Sequence, residues 1–268
     1  MRASGLACTR AIRYGWPPMA ERLDLDVYPT DGEAIEAAAE RAAEHLRAAA
    51  TSAPLRVALS GGRSGRGLLV ALAGIDDLPW ERIDWLWADE RCVAATEPQS
   101  NVRLARDSLL EPRAIPAERI YPPPVELNDP ARIAAAYAET LVALGGGPTP
   151  ILDLVLLGLG PSGAVAALMP GGAALAATAP VTAVPPVEVT EEPPLARITM
   201  TPPVLRAARH IVVVATGDAQ AAAVAAAMGD PVDPSRVPAH AVRPCARVAW
   251  CLDRAAAKEL LRGARPTQ

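Results

Sequence analysis

The sequence predicts an α/β fold, doubly wound around a mainly parallel sheet with helices on both faces. Short apolar runs alternate along the chain with Ala-rich segments of helical character, an order that is typical of parallel sheets. The residues are 51% hydrophobic but only 3% aromatic, without a phenylalanine. Small and branched aliphatic side chains must therefore fill the core, as they do where helices pack on a sheet. The length of 268 residues fits one such domain.

The first half of the chain contains three predicted strands, each a short apolar run or an apolar and polar alternation. They cover residues 23–28, 56–60 and 83–88. Between and after them lie segments that we interpret as helices, the first of which is Ala-rich with its charges on one side. The predicted helices cover residues 32–50, 65–73, 101–110 and 131–144. The Gly61-Gly62 turn joins the second strand to its helix, which gives a strand, glycine loop, helix unit.

The second half continues the same alternation. Its strands are predicted at residues 152–157, 196–200, 210–215 and 248–252, and its helices at residues 203–208, 218–228 and 255–261. Residues 154–187 carry no charge and are long enough to contain a membrane span of about 20 residues. Repeated glycines and prolines would break a spanning helix there, so we interpret this segment as a buried strand, a turn and a short helix.

Composition argues against several classes of function. A net charge of -4 and a pI of about 5.5 do not indicate the clustered basic surface that binds nucleic acid. The four cysteines form no CxxC pair and no His-rich cluster accompanies them, so we expect reduced thiols, no metal site and a cytoplasmic protein. Residues 1–18 lack the apolar core of a signal peptide, and we expect a disordered extension before a domain over residues 19–268. A wrongly assigned start and a transit peptide are the alternative interpretations of this stretch.

Two loops follow predicted strands at the sheet edge where ligands bind in such folds. In Ser60-Gly61-Gly62-Arg63 the glycines let backbone N–H groups approach an anion at a helix N-terminus, and the arginine adds charge. An ordinary strand-to-helix turn is the alternative interpretation.

The second loop places Asp89, Glu90 and Arg91 directly after an apolar strand. Arg91 can bind a phosphate or carboxylate through two parallel hydrogen bonds. A loop held by salt bridges, without a functional role, is the alternative. Residues 158–164 and 216–218 are the other loops expected at this edge.

Several segments, in their order along the chain, resemble the 6-phosphogluconolactonases. They are SGG after a strand, WADERCV with SNVRLARDSLL, DLVLLGLG with ALMPG, PPLARITMTPPVLRAARHIVVVATGDAQ, DPSRVPAHAVRP and RVAWCLDRAAA. The resemblance runs from about residue 23 to the C-terminus. Glucosamine-6-phosphate deaminases share the sheet architecture of this family, but DERCV and LDRAAA favour the lactonases.

The resemblance implies hydrolysis of 6-phosphogluconolactone to 6-phosphogluconate in the oxidative pentose phosphate pathway, without a metal or organic cofactor. It implies a phosphorylated sugar lactone or a related sugar phosphate as the partner, and we expect a monomer or small homo-oligomer that contacts neither nucleic acid nor membrane. The positions that match the family are Ser60, Gly61, Gly62, Asp89, Glu90, Arg91 and Arg197, and Arg63 of the glycine loop completes the candidate substrate-binding residues.

The sequence departs from the family at its proton-transfer residues. The family's GxDGHTAS loop is GPSGAVAA here, so its aspartate falls on Ser162 and its catalytic histidine on Ala164. Neither replacement is a base. The family's SGGSTP loop is SGGRSG here, and the lysine of its TGEEK-like turn falls on Gln220.

Three functions follow from this departure. The first is an active lactone hydrolase with displaced catalytic groups, and the second is a catalytically impaired sugar-phosphate-binding or regulatory protein. The third is an enzyme recruited to another substrate. His240 is the histidine whose loop could approach the site, whereas we expect His45 to be exposed and His210 to be structural. Location alone makes Asp89, Glu90 and Asp218 further candidates for the base.

Overall fold

The computed structural model describes residues 14–15, 24–49, 54–145, 147–243, 247–262 and 265–266. The predicted extension over residues 1–18 lies outside these residues, apart from residues 14–15, so its disorder stays a prediction. The strands are β1 (Tyr14–Gly15), β2 (Asp24–Tyr28), β3 (Leu55–Leu59), β4 (Ile83–Trp87), β5 (Asp89–Arg91), β6 (Leu154–Gly158), β7 (Val181–Val184), β8 (Arg197–Met200), β9 (Ile211–Ala215), β10 (Val248–Asp253) and β11 (Arg265–Pro266). The α-helices are α1 (Asp31–Ala48), α2 (Gly62–Ala73), α3 (Asn101–Ala105), α4 (Pro130–Gly145), α5 (Pro202–Ala207), α6 (Ala221–Met228) and α7 (Arg254–Leu261).

Six strands form a parallel sheet in the order β2-β10-β9-β6-β3-β4. The chain runs outward from β3 to β4 and then returns to β6 on the other side of β3, so its direction reverses between β3 and β6. Because crossovers between parallel strands are right-handed, α1 and α2 lie on one face and α6 lies on the other with α7, against which it packs. The predicted doubly wound α/β fold is confirmed.

A second sheet of three antiparallel strands, in the order β5-β8-β7, lies outside this pattern. We expected the strand at residues 196–200 to belong to the parallel alternation and residues 89–91 to be a loop, and both expectations are wrong. One residue, Ala88, separates β4 from β5. A parallel neighbour would need a crossover of a dozen or more residues, so β5 cannot join the main sheet and pairs with β8 instead.

The core sits between the sheet and its helices. Helix α1 begins at a capping box formed by Thr30 and Glu33, and five of its six buried residues are alanines. Their small side chains let the helix pack closely on the sheet. The largest side chains with almost no exposure are Trp85, Trp87 and Trp250, each on a strand.

The uncharged segment at residues 154–187 contains β6, a series of turns, a 3₁₀ turn at Ala173–Ala176 and β7. The expected strand and turns are present, but the expected short helix is only this 3₁₀ turn, and β7 was not predicted. Among the described residues, no helix combines the length and the apolar character needed to cross a bilayer.

Candidate active site

A cavity of about 470 Å³ opens where the chain direction reverses, at the carboxyl ends of β3 and β6. This is the position at which open α/β sheets bind their ligands. Its walls come from residues 60–65 after β3, residues 158–162 after β6 with Ala164 and Ala166, residues 190–192 before β8, and the side chains of Asp89, Arg91, Arg197 and Gln220. Three of the four predicted loops therefore meet around one cavity, whereas residues 216–218 are not part of its lining.

The glycine loop brings the N-terminus of α2 to this cavity. Helix α2 starts at Gly62, and the unpaired N–H groups of its first turn favour an anion. A Cβ on Gly61 would lie 1.9 Å from Oδ1 of Asn101, so this close approach requires glycine. Arg63 is exposed in the first turn, and the Ser64 hydroxyl lies 2.9 Å from that of Thr216, which ties the start of α2 to the turn after β9.

Asp89 holds the glycine loop in position. Its Oδ1 accepts a 2.6 Å hydrogen bond from the Ser60 hydroxyl, and its Oδ2 accepts a 3.1 Å bond from Nδ2 of Asn101. The same amide also donates to the backbone carbonyl of Asp89 at 2.9 Å. Asp89 is 3% exposed, and its carboxylate oxygens are committed to these neighbours.

Glu90 does not line the cavity. Its carboxylate accepts hydrogen bonds from the backbone N–H groups of Asn101 at 2.8 Å and Val102 at 2.7 Å, and from the Ser100 hydroxyl at 3.1 Å. It therefore caps the start of α3 from the neighbouring strand. Complete burial raises the pKa of Glu90 to about 7.

The antiparallel sheet places two arginines directly opposite each other. The register of β5 and β8 pairs Arg91 with Arg197, and both side chains line the cavity. Asn101 accepts a hydrogen bond from Arg91. Like charges at facing positions repel, so this pair favours an anion between or beside the two guanidinium groups.

Arg197 is the more buried of the two arginines. Among the described residues, its Nε and Nη2 have no hydrogen-bond partner, and its Nη1 lies 3.8 Å from Oε2 of Glu191. Burial lowers the pKa of Arg197 from its ordinary value, but an arginine stays charged at neutral pH. Buried donors without partners are costly, and an anionic group in the cavity would satisfy them.

Glu191 was not predicted from the sequence. It lies between β7 and β8, lines the cavity, and has its Oε1 3.5 Å from the Ser162 hydroxyl. Burial raises the pKa of the Glu191 carboxyl, against the opposing effect of Arg197. The one signal in the sequence is the acidic pair Glu191-Glu192 within a proline-rich stretch, and no spacing links that pair to the cavity.

The positions that depart from the family pattern also face this cavity. Ser162, Ala164 and Gln220 are all part of its lining. The replaced residues and the candidate binding residues therefore surround the same space. The lining holds three carboxylates and three arginines, without a histidine among the residues described.

The three histidines lie elsewhere. His240 is buried, with Nδ1 accepting from the backbone N–H of Asp233 at 2.9 Å and Nε2 lying 3.0 Å from the carbonyl oxygen of Ala226. Both ring nitrogens are thus engaged with the backbone. The expectation that His45 is exposed is wrong, because it is half-buried and its ring stacks 3.7 Å from that of His210.

Neither Asp218 nor a metal-binding cluster of side chains adds a catalytic candidate. The Asp218 carboxylate lies 2.7 Å from Nζ of Lys258 in an exposed ion pair and does not line the cavity. Within the described ranges, no group of three or more His, Cys, Asp or Glu side chains is placed to hold a metal ion.

Comparisons with known proteins agree with this architecture. The family described as glucosamine-6-phosphate isomerases/6-phosphogluconolactonase matches residues 29–250. A 6-phosphogluconolactonase of Streptomyces coelicolor is 36% identical over 260 residues, which cover 92% of this chain and 98% of that protein. A 6-phosphogluconolactonase of Mycobacterium tuberculosis is 33% identical over 245 residues, covering 88% and 98%.

Solved structures give the same result at the level of the fold. The structure of 6-phosphogluconolactonase from Trypanosoma cruzi superposes with a TM-score of 0.79 at 27% identity, covering 89% of this chain and 97% of that one. The sheet order, the position of the cavity and these similarities have one explanation: the chain belongs to the glucosamine-6-phosphate isomerase/6-phosphogluconolactonase family.

Proposed function

We propose that this protein hydrolyses 6-phosphogluconolactone to 6-phosphogluconate. The observation that carries the proposal is the cavity at the reversal between β3 and β6, where a helix N-terminus and three arginines surround a space with carboxylates. Relatives that are named 6-phosphogluconolactonases and span almost the whole chain support the same substrate.

The substrate has two chemical requirements, and the cavity offers groups for each. The phosphate needs cationic and backbone donors, which the first turn of α2, Arg63 and Arg91 supply. The lactone carbonyl needs a donor for the negative charge that develops on its oxygen. We assign this role to Arg197, whose guanidinium is buried and carries donors without partners among the described residues.

The catalytically impaired alternative rests on the replacements at Ser162 and Ala164. The relatives give it no support, since they carry names of enzymes. The cavity also retains charged groups at its lining, including the carboxylate of Glu191. We therefore propose the hydrolase.

A pair of arginine variants tests whether the phosphate binds at α2. Arg63 lines the cavity, whereas Arg66, one turn further along the same helix and also exposed, does not. We expect Arg63→Ala to lower kcat/KM for the phosphorylated lactone by roughly 10-fold or more, the value of a hydrogen bond to a charged group, and Arg66→Ala to leave it unchanged.

Gluconolactone without the phosphate is the matched substrate control. Its hydrolysis should be slow and insensitive to Arg63→Ala, because the lost interaction involves the phosphate. Equal kcat/KM values for the two lactones, together with no effect of Arg63→Ala, would contradict phosphate recognition at this loop.

We further propose that the protein acts in the cytoplasm as a monomer or small homo-oligomer. Cys92 and Cys251, the cysteines within the described residues, are free thiols, which fits a reducing compartment. Light scattering of the purified protein measures the assembly state, and a large assembly would contradict the proposed monomer or small homo-oligomer.

A further inference from the structure

A group that accepts a proton from the attacking water accelerates the hydrolysis of a lactone near neutral pH by about 100- to 10,000-fold. In the described part of the chain, the cavity lining offers three carboxylates and no histidine, lysine, cysteine or tyrosine. The carboxylates belong to Asp89, Glu191 and Glu192. Three side chains are therefore candidates for the base.

Two of the three carboxylates are poorly suited to act as the base. The Asp89 carboxylate accepts hydrogen bonds from Ser60 and Asn101 and is 3% exposed, so both of its oxygens already have partners. Glu192 is exposed, and no protein group fixes its carboxylate among the contacts described. A base must be held within hydrogen-bond reach of the water that it activates.

The Glu191 carboxylate lies next to Ser162 and Ala164, the two positions at which the family has ionisable residues and this chain has none. An ideal Cβ on Gly160 would lie 1.7 Å from Glu191 Oε1 and 3.4 Å from Cβ of Ala164. The carboxylate therefore lies over the Gly160 backbone, beside Ala164. Its Oε1 is also 3.5 Å from the Ser162 hydroxyl, so it adjoins both positions at which the sequence lacks an ionisable group.

The surroundings of Glu191 suit proton transfer. Its side chain is 23% exposed, and its Oε2 lies 3.8 Å from Nη1 of Arg197. Partial burial raises the pKa of its carboxyl, which makes the carboxylate a stronger base than an exposed one. The charge of the neighbouring Arg197 opposes this rise.

We propose that Glu191 is the general base of this protein, in the place left by the residues replaced at Ser162 and Ala164. This assignment rests on the proposed lactone hydrolysis. The Glu191 carboxylate takes a proton from water while the water oxygen bonds to the lactone carbonyl carbon, and the carbonyl electron pair moves to oxygen beside Arg197. The ring C–O bond then breaks, and its oxygen takes the proton back from Glu191. The new carboxylic acid ionises to solvent.

Glu191→Gln is the direct test, because it keeps the size of the side chain and removes the base. Loss of a general base costs about 100- to 10,000-fold in rate, so we expect kcat to fall by that factor with little change in KM. The matched control is Glu188→Gln on the same segment. Glu188 does not line the cavity, and a glutamine oxygen can still accept its hydrogen bond from the Ala173 N–H.

The pH profile separates a base from a residue that only positions Arg197. In the wild type, kcat should rise with pH through the raised pKa of Glu191 and then level off, after subtraction of spontaneous opening. Glu191→Asp keeps a carboxylate and should retain this rising limb at a lower rate. Glu191→Gln should lose it.

Three results would overturn the assignment. In the first, Glu191→Gln keeps the wild-type kcat and the rise of kcat with pH. In the second, Glu191→Gln raises KM and leaves kcat unchanged. In the third, the rise of kcat with pH is lost in Glu192→Gln or in Asp89→Asn but not in Glu191→Gln. Each leaves the proposed function standing, because the wild type is active in all three. An inactive wild type would instead overturn the proposed function itself.

Discussion

Successive side chains of β5 point in opposite directions, so two of them line the cavity and the one between them does not. Asp89 and Arg91 line the cavity, whereas Glu90 between them is buried and caps α3. Successive residues of a strand point to opposite faces. The sequence pattern predicted one loop for all three residues and therefore did not distinguish Glu90 from its neighbours.

Patterns identified the glycine loop and Arg91, because glycine loops and arginines after strands have recognisable positions, whereas Arg197 was assigned only through its match to the family. Ser60, Gly61, Gly62, Arg63, Arg91 and Arg197 all reach the cavity, and their substrate contacts stay predictions. Glu191 could not be found in this way. It reaches the cavity through the segment that connects β7 to β8, and β7 was not predicted from the sequence.

Gly160→Ala tests the position of the Glu191 carboxylate without changing any ionisable group. The added Cβ would lie 1.7 Å from Glu191 Oε1, so the carboxylate must move away. We expect kcat for the phosphorylated lactone to fall by about 10-fold or more, since misplaced catalytic groups lose rate steeply. Steady-state kinetics measures the effect.

Gly147→Ala is the control for that substitution, because a Cβ there meets nothing within 4 Å. Its rate should equal that of the wild type. A folded Gly160→Ala variant with an unchanged kcat would show that the observed position of Glu191 is not needed for turnover.

At the scale of elements, the pairing of β5 with β8 assembles the cationic wall of the cavity. It brings Arg91 opposite Arg197 across more than 100 residues of sequence. The apolar and polar alternation predicted the strand at residues 196–200 but not its partner. A three-residue strand such as β5 is too short to show a period.

Glu90 couples β5 to α3, and its burial predicts a specific pH dependence of stability. The folded protein holds a proton on Glu90 up to a pKa of about 7, whereas the ordinary value is 4.5. Between these values the folded state binds more protons than the unfolded state, so the contribution of Glu90 to stability falls as the pH rises. Glutamine at this position does not titrate.

Urea unfolding at pH 5 and pH 8 measures this effect. We expect the free energy of unfolding to decrease from pH 5 to pH 8 more in the wild type than in Glu90→Gln. The difference between the two decreases should be about 1 to 3 kcal/mol. The exposed Glu126 provides the control, and Glu126→Gln should follow the wild type. An equal change in the free energy of unfolding between pH 5 and pH 8 in Glu90→Gln and the wild type would contradict a raised pKa at Glu90.

At the scale of the whole molecule, the reversal of the chain between β3 and β6 decides where the site lies. The alternation of apolar runs and helical segments predicted the doubly wound sheet, and the rule for such sheets predicted a site at the carboxyl ends of the strands. The strand order, and therefore the location of the reversal, depends on long-range pairing that no local pattern contains.

The most direct test of the central claim is the rate of 6-phosphogluconolactone hydrolysis by the purified full chain near pH 6.5, where spontaneous opening is slower. It is compared with a blank without protein and with Arg91→Ala, which removes one arginine of the cavity. We predict a wild-type rate well above both. A wild-type rate equal to that of the blank would contradict the claim that this protein is a lactone hydrolase.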